Sequence, residues 1–412
     1  MKTENVDAYI IPTSDEHLSE YVSKFDERRV FITGFKGSAG TAVVLSDGTR
    51  ALWTDGRYFL QADQELDCNW LLMKESVDGV PTIPEWLKDK LQPNSVVGAD
   101  PKLISAMEWL EYEKDFQESQ ITMRGIAKNL VDELRPGREE IEGPEIPIQI
   151  LELQFAGKKW EEKVADVRKE LEKQQADMIV ITAMDENAWL FNLRGGDVPH
   201  NPGTLNALAS LDSVKKVILP SKYSYSGGAN YAIYSAIKAG NSWNEISAAD
   251  RLEKFRAEQE YYHSLSFDTI SAFGSNGAII HYSPSPETNK EITNQSLYLL
   301  DSGGQYKDGT TDVTRTLHYG TPTKFQKEAY TRVLKGAINL ALLTFPKGTK
   351  DTRVDIVARS SLYEVGLDYR HGTGHGIGMF LNIHEAPTQM RIYGTEEHEL
   401  KEGYFFSDVQ VH

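Results

Sequence analysis

The sequence contains a single cysteine, Cys68, among 412 residues. One thiol cannot form a disulfide within the chain, which excludes the disulfide-rich secreted scaffolds and favours a reducing compartment. Cys68 lies between Asp67 and Asn69, with no basic residue beside it. Because a reactive cysteine needs a neighbour that stabilises its thiolate, we expect an inert thiol here and not a nucleophile.

Long hydrophobic runs are absent as well. No apolar run in the sequence approaches the ~20 residues that a membrane-spanning helix needs. The N-terminal residues MKTENVDAYIIPTSDEH lack the apolar centre of a signal peptide. We therefore expect a soluble, cytoplasmic protein with no membrane partner.

The sequence has fewer positively than negatively charged residues. Lys and Arg total 44 against 61 Asp and Glu, which gives a formal net charge of -17 at pH 7. An acidic surface repels phosphate backbones, so we do not expect nucleic acid as a partner. The hydrophobic content of 40% is enough to build the cores of two or three domains.

The first 135 residues predict an α/β domain. Short apolar runs such as DAYIIPT, TAVVLS and SVVGAD alternate with segments of helical period such as EHLSEYV and IPEWLKDKL. Such alternation is typical of α/β folds. Residues 133–147, ELRPGREEIEGPEIP, are rich in proline, glycine and charge and predict a linker.

A second region, residues 148–238, begins much like the first. Its first helix is predicted over residues 158–175, where apolar residues recur at helical spacing. Residues 177–186 can be laid over residues 7–16, since each segment has an apolar strand followed by Asp-Glu. Two interpretations stay open: a duplicated domain, or the common pattern of a buried strand followed by a helix start.

A third region, residues 239–412, shows a regular series of elements. The series predicts a helix over residues 246–259, strands over 296–306 and 310–320 around a Lys307–Gly309 turn, a helix from Thr323 to about 346, and a helix over 353–365. Thr323 and Gln326 have the spacing of a capping box.

The predicted hairpin carries two acidic residues. A turn centred between Tyr306 and Lys307 would place Asp301 directly opposite Asp312, with Cβ atoms ~4.5–5.5 Å apart. Like charges at that distance repel unless a cation or a shared proton compensates them, and a divalent metal is one explanation. The alternative is that Asp301 begins an Asp-Ser-Gly-Gly turn and Asp312 caps a strand end, since Asp is common in turns.

Four histidines belong to the same region. His371 and His375 lie in the loop HGTGHGIG, where glycines let the backbone approach a bound group closely. His384 follows in LNIHEAP, and His281 ends the apolar run of GAIIHY. Each alone is typical of a structural histidine, but their grouping with two acids favours a metal or catalytic site.

Three long motifs resemble one known family. The motifs are DSGGQYKDGTTDVTRT (301–316), HGTGHGIGMFLNIHEAP (371–387), and FITGFKGSAGTAVVL with WTDGRYFLQA (31–45 and 53–62). With these runs the sequence resembles the cytosolic Xaa-Pro aminopeptidases (aminopeptidase P), which belong to the creatinase/pita-bread metallopeptidases. The resemblance touches all three regions.

The resemblance implies an architecture. Residues 1–135 would form one creatinase-type α/β domain and residues 148–238 an abbreviated second one. Residues 239–412 would form a C-terminally incomplete pita-bread metallopeptidase domain. It also implies a homodimer, with two Mn²⁺ ions per subunit.

Roles for individual residues follow from the matching motifs. Asp301, Asp312 and His375 correspond to metal ligands, and Asp312 is expected to bridge both ions. Histidines in the positions of substrate-contacting or proton-moving groups are His281, His371 and His384. Arg57 matches an arginine that contacts the peptide.

The sequence also departs from the family pattern. The family supplies two further metal ligands, both glutamates, in segments like SDEPGYY and RIEN. Here Val409 stands where the first glutamate is expected, and the sequence given ends at His412. Three ligands provide too few donors for two divalent ions, so we expect an incomplete metal site.

Two functions are therefore expected. The first is a metal-dependent aminopeptidase that uses a metal-bound hydroxide to release the N-terminal residue from peptides with proline in second position. The alternative is a catalytically inactive relative or fragment that acts as a dimerisation or peptide-binding module, because the two glutamates are missing.

Overall fold

The computed structural model describes residues 1–135, 137, 148–179, 181, 183–196, 198, 200–202, 242–392 and 397–408. The chain divides into two compact units. One unit comprises residues 1–147, 179–187 and 195–199, and the other comprises 148–178, 188–194 and 200–412. Most of the predicted linker, the region 203–241, Val409 and His412 lie outside the described residues. The domain boundaries at 135, 148 and 239 stay predictions.

The first unit is built on a six-stranded mixed sheet, in the order β4-β3-β2-β1-β5-β6. Its elements are β1 Ala8–Pro12, α1 Arg28–Thr33, β2 Thr41–Leu45, β3 Arg50–Thr54, α2 Phe59–Glu65, β4 Leu71–Lys74, α3 Ile83–Lys90, β5 Val96–Ala99, α4 Ala106–Gln117, β6 Thr122–Gly125 and the 3₁₀ turn Asp132–Leu134. Strands β1, β2 and β3 are antiparallel neighbours, whereas β4, β5 and β6 join in parallel. The predicted α/β architecture is confirmed.

Helix α3 shows how the local sequence sets these elements. Thr82 accepts a hydrogen bond from the Glu85 N–H, and the Glu85 carboxylate accepts from the Thr82 N–H, which together form a capping box. The helix buries Trp86, whose ring packs edge-on against Trp53 of β3 at 5.2 Å. Burying aromatic side chains of this size supplies much of the hydrophobic energy of the sheet.

The segment EHLSEYV, residues 16–22, does not form the helix that its period indicates. The carboxylate of Asp15 accepts hydrogen bonds from the N–H groups of His17 and Ser19, both at 2.9 Å. An aspartate that bonds its own downstream backbone favours a turn over a continuing helix.

The second unit contains short sheets and longer helices. Its elements, with α7 crossing from the first unit, are β7 Gln149–Ile150, α5 Leu153–Ala156, α6 Trp160–Gln174, α7 Met184–Phe191, β8 Leu193–Arg194, β9 Trp243–Asn244, α8 Glu245–Ala257, β10 Tyr262–Leu265, β11 Ile270–Phe273, a 3₁₀ turn Gly274–Ala278, β12 Glu291–Ile292, β13 Leu297–Ser302, β14 Gly304–Tyr306, β15 Gly309–Thr310, β16 Val313–His318, α9 Lys324–Ala341, α10 Asp351–Tyr363, β17 Gly374–Gly376, β18 Glu385–Met390 and β19 Phe406–Asp408.

Three of these sheets carry the candidate site. Strands β11, β13 and β16 form one antiparallel sheet, β10, β14 and β15 form another, and β18, β17 and β19 form a third. Helix α8 covers the first of them, and its Leu252 and the Leu300 of β13 are fully buried in one cluster. Complete burial of a leucine contributes about 1.5–3 kcal/mol.

The predicted capping box of α9 is confirmed, since Thr323 accepts from the Gln326 N–H and the Gln326 side chain accepts from the Thr323 N–H. Helices α9 and α10 pack closely at Gly336, where any Cβ would lie 2.1 Å from the carbonyl oxygen of Ala358. In the part of the chain that the structure describes, no helix has both the length and the apolar character to cross a bilayer.

Candidate metal and catalytic site

The hairpin that carries both acidic residues differs in register from the predicted one. Asp301 pairs with Thr314, and the turn Tyr306–Gly309 closes with its two end residues paired. The prediction that Asp301 lies directly opposite Asp312 was therefore wrong by two residues. The physical reason is that the two-residue loop consists of Lys307 and Asp308, so the centre of the turn lies one position further along the chain than predicted.

Asp301 and Asp312 nevertheless lie on the same face. Asp312 comes two residues before Thr314, and alternate residues of extended backbone share a face. Both acids are almost completely buried. Burial raises the pKa of Asp301, and the negative charge of Asp312 raises it further. The two carboxylates are close, in a diagonal arrangement and not a directly opposed one.

A buried arginine holds the two strands at this point. Arg256 of α8 donates from Nη2 to the carbonyl and hydroxyl oxygens of Ser302, at 3.0 and 3.1 Å, and from Nη1 to the hydroxyl of Thr311 at 3.2 Å. Ser302 follows Asp301 and Thr311 precedes Asp312, so one guanidinium sets the spacing of both acids. Sequence reasoning missed it, although Arg256 continues the buried stripe of Ala248 and Leu252 at intervals of four residues.

His375 of β17 faces Asp312. Its Nε2 lies 3.1 Å from Oδ2 of Asp312, and its Nδ1 lies 2.9 Å from the carbonyl oxygen of Gly376. Because a carbonyl oxygen only accepts, we assign the proton of a neutral His375 ring to Nδ1. The lone pair of Nε2 then points at a carboxylate, an arrangement that needs either a second proton or a shared cation.

The remaining three candidate histidines, all in the second unit, have different surroundings. The ring of His384 meets the ring of His375 edge-on, with centroids 4.3 Å apart. His371 stacks on Tyr369 with centroids 4.4 Å apart, and its Nδ1 lies 2.7 Å from the carbonyl oxygen of Gly372. His281 lies in the loop between β11 and β12, beside the buried Tyr282.

Arg57 belongs to the first unit. Its guanidinium donates to the carboxylate of Asp55 at 2.9 and 2.8 Å. This pairing raises the pKa of the already strongly basic arginine against the opposing effect of burial. Arg57 is therefore a fixed positive charge.

The segment before His384 is held in a strained conformation. Phe380 has a φ of +55°, which side-chain-bearing residues rarely adopt, and its ring is buried. Arg194 donates to the carbonyl oxygens of Phe380 and Met379 at 2.6 and 2.9 Å, and Gln305 donates to that of Leu381 at 2.6 Å. These buried donors stabilise the backbone conformation that leads to His384 and then into strand β18.

The donor chemistry of the site fits a divalent cation. Oδ1 of Asp301 is buried without a hydrogen-bond partner in the described part of the chain, and a cation would satisfy it. Two carboxylates and an imidazole are ligands that Mn²⁺ and related ions accept. Within residues 242–392 and 397–408, and in the other described ranges, no group of three or more His, Cys, Asp and Glu is arranged so that it could hold a metal. The described residues thus provide part of a ligand set and not a complete two-ion cage.

The sequence matches three family models, which together cover most of the chain. Residues 224–408 match metallopeptidase family M24, and residues 1–136 and 139–224 each match a creatinase/prolidase N-terminal domain. Two models of the same kind favour the duplication of N-terminal domains over a chance pattern.

Related proteins of known name agree with these matches. The chain is 40% identical to the probable Xaa-Pro aminopeptidase P of Neosartorya fischeri, over 94% of this chain and 73% of that protein. It is 39% identical to Xaa-Pro aminopeptidase 1 of Dictyostelium discoideum, over 94% of this chain and 76% of that protein. With Xaa-Pro aminopeptidase 2 of Sus scrofa the identity is also 39%, over 99% of this chain and 73% of the relative.

A solved structure of the same fold is among those similar to this chain. It is the X-prolyl aminopeptidase from Caenorhabditis elegans, described as a cytosolic enzyme with a di-nuclear active site. The TM-score is 0.88 at 30% identity, and the match covers 97% of this chain and 80% of that one.

The fold and the family matches therefore define a metallopeptidase with creatinase-type N-terminal domains. Within that class, the chain belongs to the Xaa-Pro aminopeptidase branch of family M24. The predicted family, fold class and class of enzyme are confirmed. The roles of single residues, the metal, the dimer and the cytoplasmic location stay predictions.

Proposed function

We propose that this chain is a metal-dependent aminopeptidase that releases the N-terminal residue from peptides with proline in second position. The observation that carries the proposal is the contact of His375 with Asp312 beside the buried Asp301, in a chain that belongs to this family. The names of its relatives give the substrate class, and the di-nuclear site of the nematode enzyme supports two metal ions per chain.

The proposed ligands are Asp301, Asp312 and His375, with Mn²⁺ as the proposed metal. Bound divalent ions lower the pKa of water so that a nucleophile is available near neutral pH. The hydrogen bond from Nδ1 of His375 to the Gly376 carbonyl orients Nε2 toward Asp312 and fixes the tautomer that presents a lone pair.

The other histidines bind and move protons in this proposal. His384 is packed against His375, so its imidazole is close enough to the proposed metal ligands to donate to the oxygen of the scissile carbonyl. His281 and His371 are proposed to contact substrate, and either imidazole can return a proton to the departing proline nitrogen. Arg57 is proposed to bind the peptide.

We further propose the domain limits 1–135, 148–238 and 239–412, a homodimer and a cytoplasmic location. The single cysteine and the cytosolic nematode relative support the location. The breaks between the three matched family models, near residues 136 and 224, support the existence of the boundaries more than their exact positions.

The test is hydrolysis of a peptide that begins Xaa-Pro by the Mn²⁺-loaded chain. A peptide with alanine in place of proline serves as the matched substrate control. We expect turnover of the first peptide only, and about 100-fold slower turnover by the Asp312→Asn variant. The Asp308→Asn variant removes a carboxylate from the turn of the same hairpin and should stay within about threefold of wild type. Equal turnover by Asp312→Asn would contradict the proposed site.

The second candidate is a peptide-binding or dimerisation module without catalysis. It is favoured by the absence of a three-ligand group among the described residues and by Val409, which stands where the family has a glutamate. Metal content after Mn²⁺ loading and desalting separates the two functions. About two ions per chain supports the peptidase. A chain that retains none but binds Xaa-Pro peptides supports the module.

A further inference from the structure

Helix α10 carries a completely buried ion pair, Arg359 and Asp355, which are 1% and 0% exposed. Nε and Nη2 of Arg359 donate to the two carboxylate oxygens of Asp355 at 2.6 and 3.3 Å, and Nη1 donates to Asp368 at 2.8 Å. The same two terminal nitrogens donate to the backbone carbonyl oxygens of Tyr369 and His371, at 2.6 and 2.7 Å. The rigid fork of the guanidinium therefore spans the loop that leads into the glycine-rich motif.

A second set of contacts closes around the same loop. The hydroxyl of Thr373 donates to the carboxylate of Asp355, so the Tyr369 hydroxyl, 2.6 Å away, is the donor to Thr373. The guanidinium carbon of Arg359 lies 3.9 Å from the centroid of the Tyr369 ring. Arg359, Asp355, Thr373 and Tyr369 thus form a closed circuit of ionic, hydrogen-bonded and cation–π contacts.

The ring of His371 contacts this circuit through Tyr369. The ring of Tyr369 contacts both the guanidinium of Arg359 and the imidazole of His371, and the two rings are 4.4 Å apart at an interplanar angle of 22°. Nδ1 of His371 lies 2.7 Å from the Gly372 carbonyl oxygen, which fixes the rotation of the ring. Both the backbone and the ring of His371 therefore depend on the position of Arg359.

Stability alone does not account for this pair. The desolvation of two buried charges offsets most of their attraction, and apolar replacements are often as stable. The loop itself has little intrinsic rigidity, because Gly372, Gly374 and Gly376 alternate with its functional side chains. A buried, fully bonded network that fixes one conformation of such a loop acts on geometry.

We propose that Arg359 is a positioning residue for His371. Paired with Asp355, it holds the carbonyls of Tyr369 and His371 and stacks Tyr369 on the imidazole, which fixes the ring in the orientation it needs toward substrate. The catalytic part of this inference rests on the proposed function. The positional part concerns the structure alone.

The first experiment measures ring position without any assay of activity. In protein labelled with ¹³C at histidine Cε1, the His371 signal is assigned by its loss in His371→Gln, and stacking on Tyr369 should displace it upfield. Arg359→Lys keeps the charge but loses the fork, so we expect the signal to move downfield. Arg332→Lys is the matched control, because Arg332 of α9 binds the Ser361 carbonyl of α10, the helix that carries Arg359, and not the loop. An unchanged signal in Arg359→Lys would overturn the proposal.

The second experiment is a double-mutant cycle on Xaa-Pro turnover. We expect Arg359→Lys to lower kcat about tenfold or more while KM changes less than about threefold. In a His371→Ala background the same substitution should change kcat by less than about twofold, since there is no ring left to position. Equal losses in both backgrounds would show a general structural role and reject the inference. If the wild-type chain has no turnover, the proposed function fails, and the ring signal still decides the positional claim.

Two variants of Tyr369 cover the case in which Arg359→Lys does not fold. Tyr369→Phe keeps the stack and loses only the hydrogen bond to Thr373, whereas Tyr369→Leu removes the stack. We expect the leucine variant to reproduce both the shifted signal and the lower kcat, and the phenylalanine variant to stay close to wild type. Identical behaviour of the two variants would contradict positioning through the stack.

Discussion

A buried ionisable side chain lowers the free energy of unfolding when it lacks partners, and this effect can be measured by mutation. Asp301 is buried beside Asp312, and one of its oxygens has no hydrogen-bond partner in the described part of the chain. Burial without a partner costs free energy of folding, so such a group points to a ligand or a reaction that uses it. The metal-free chain should therefore have a lower free energy of unfolding than a variant without this buried charge.

Removing the charge of Asp301 should stabilise the metal-free protein. Asp301→Asn is expected to raise the free energy of unfolding by about 1–2 kcal/mol, measured by urea denaturation in the presence of a chelator, because the cost of burying a carboxylate and its repulsion from Asp312 both disappear. The same variant should lose Xaa-Pro turnover. Asp308→Asn, in the turn of the same hairpin, should change the free energy by less than about 0.5 kcal/mol. A loss of stability in Asp301→Asn would mean that the carboxylate is well compensated.

Lys163 gives a pH dependence away from the site. Its ammonium group is buried and donates to the Trp189 carbonyl and to the side chain of Asn192, at 2.7 and 2.6 Å. Burial, together with the positive charges of Arg194 and Lys158, lowers its pKa from the ordinary 10.5 to about 8. Between those two pH values the unfolded chain holds a proton that the folded chain has released.

The stability of the protein should therefore rise with pH in this window. Unfolding takes up the missing proton, so increasing pH from about 8 to 10.5 favours the folded state by about 1–3 kcal/mol. In Lys163→Met this contribution should vanish, while Lys169→Met, on the exposed side of the same helix, should keep it. The measurement is the difference in urea-unfolding free energy between wild type and each variant at both ends of the window. A wild-type slope unchanged in Lys163→Met would refute the assignment.

At the scale of elements, one helix sets the geometry of the acidic hairpin. Arg256 of α8 binds both Ser302 and Thr311, the neighbours of the two acids. Gly303 lies between the bonded positions, where a Cβ would clash with the Thr311 carbonyl oxygen at 1.9 Å. The helix, the hairpin and the spacing of the acids are thus coupled.

Shortening the reach of this arginine should weaken metal binding. Arg256→Lys cannot bind both strands at once, so we expect Mn²⁺ affinity measured by calorimetry to fall about tenfold or more, because misplaced supporting residues typically cost that much. The free energy of unfolding should fall by about 1–3 kcal/mol. Arg251→Lys, five residues earlier on the same helix, is the control and should alter neither quantity appreciably. Unchanged affinity in Arg256→Lys would show that the hairpin holds its own geometry.

The elements also show which features could be read from sequence. Local signals worked: the capping box predicted at Thr323 lies where a helix begins, and the short apolar runs DAYIIPT, TAVVLS and SVVGAD became strands. The register of the hairpin could not be read, since the observed loop residues Lys307 and Asp308 are not a preferred two-residue turn and the preferred pair, Asp308-Gly309, lies one position further along. Asp301 and Asp312 were still placed together, because a shift of two residues preserves the face.

The supporting residues of the site were beyond sequence reasoning for a physical reason. Arg194 and Arg256 act on residues far away along the chain, and all three arginines Arg194, Arg256 and Arg359 bind backbone carbonyls, which carry no sequence signature. An arginine that interrupts an apolar helical stripe is the one available signal, and Arg256 displays it. The candidate ligands were found by motif, whereas the residues that hold them became visible only in three dimensions.

For the whole molecule, the two compact units allow metal binding to be localised. Every proposed metal ligand belongs to the second unit, while Arg57 and its sheet belong to the first. A ligand that binds only the folded state stabilises it by about 2.7 kcal/mol at 100 times its dissociation constant. That stabilisation should appear where the ligands are.

Hydrogen exchange should therefore respond to Mn²⁺ in one unit only. We expect added Mn²⁺ to slow exchange in peptides that cover β13 to β16 and the glycine-rich loop, and to raise the midpoint of thermal unfolding. Peptides from β1 to β6 should exchange as in the chelator-treated protein, because no proposed ligand lies there. Asp312→Asn should abolish the protection, whereas Asp308→Asn should retain it. Equal protection of both units would indicate that the ion binds elsewhere. Protection of neither unit would favour the non-catalytic module, because a chain that cannot hold metal cannot generate the nucleophile on which hydrolysis depends.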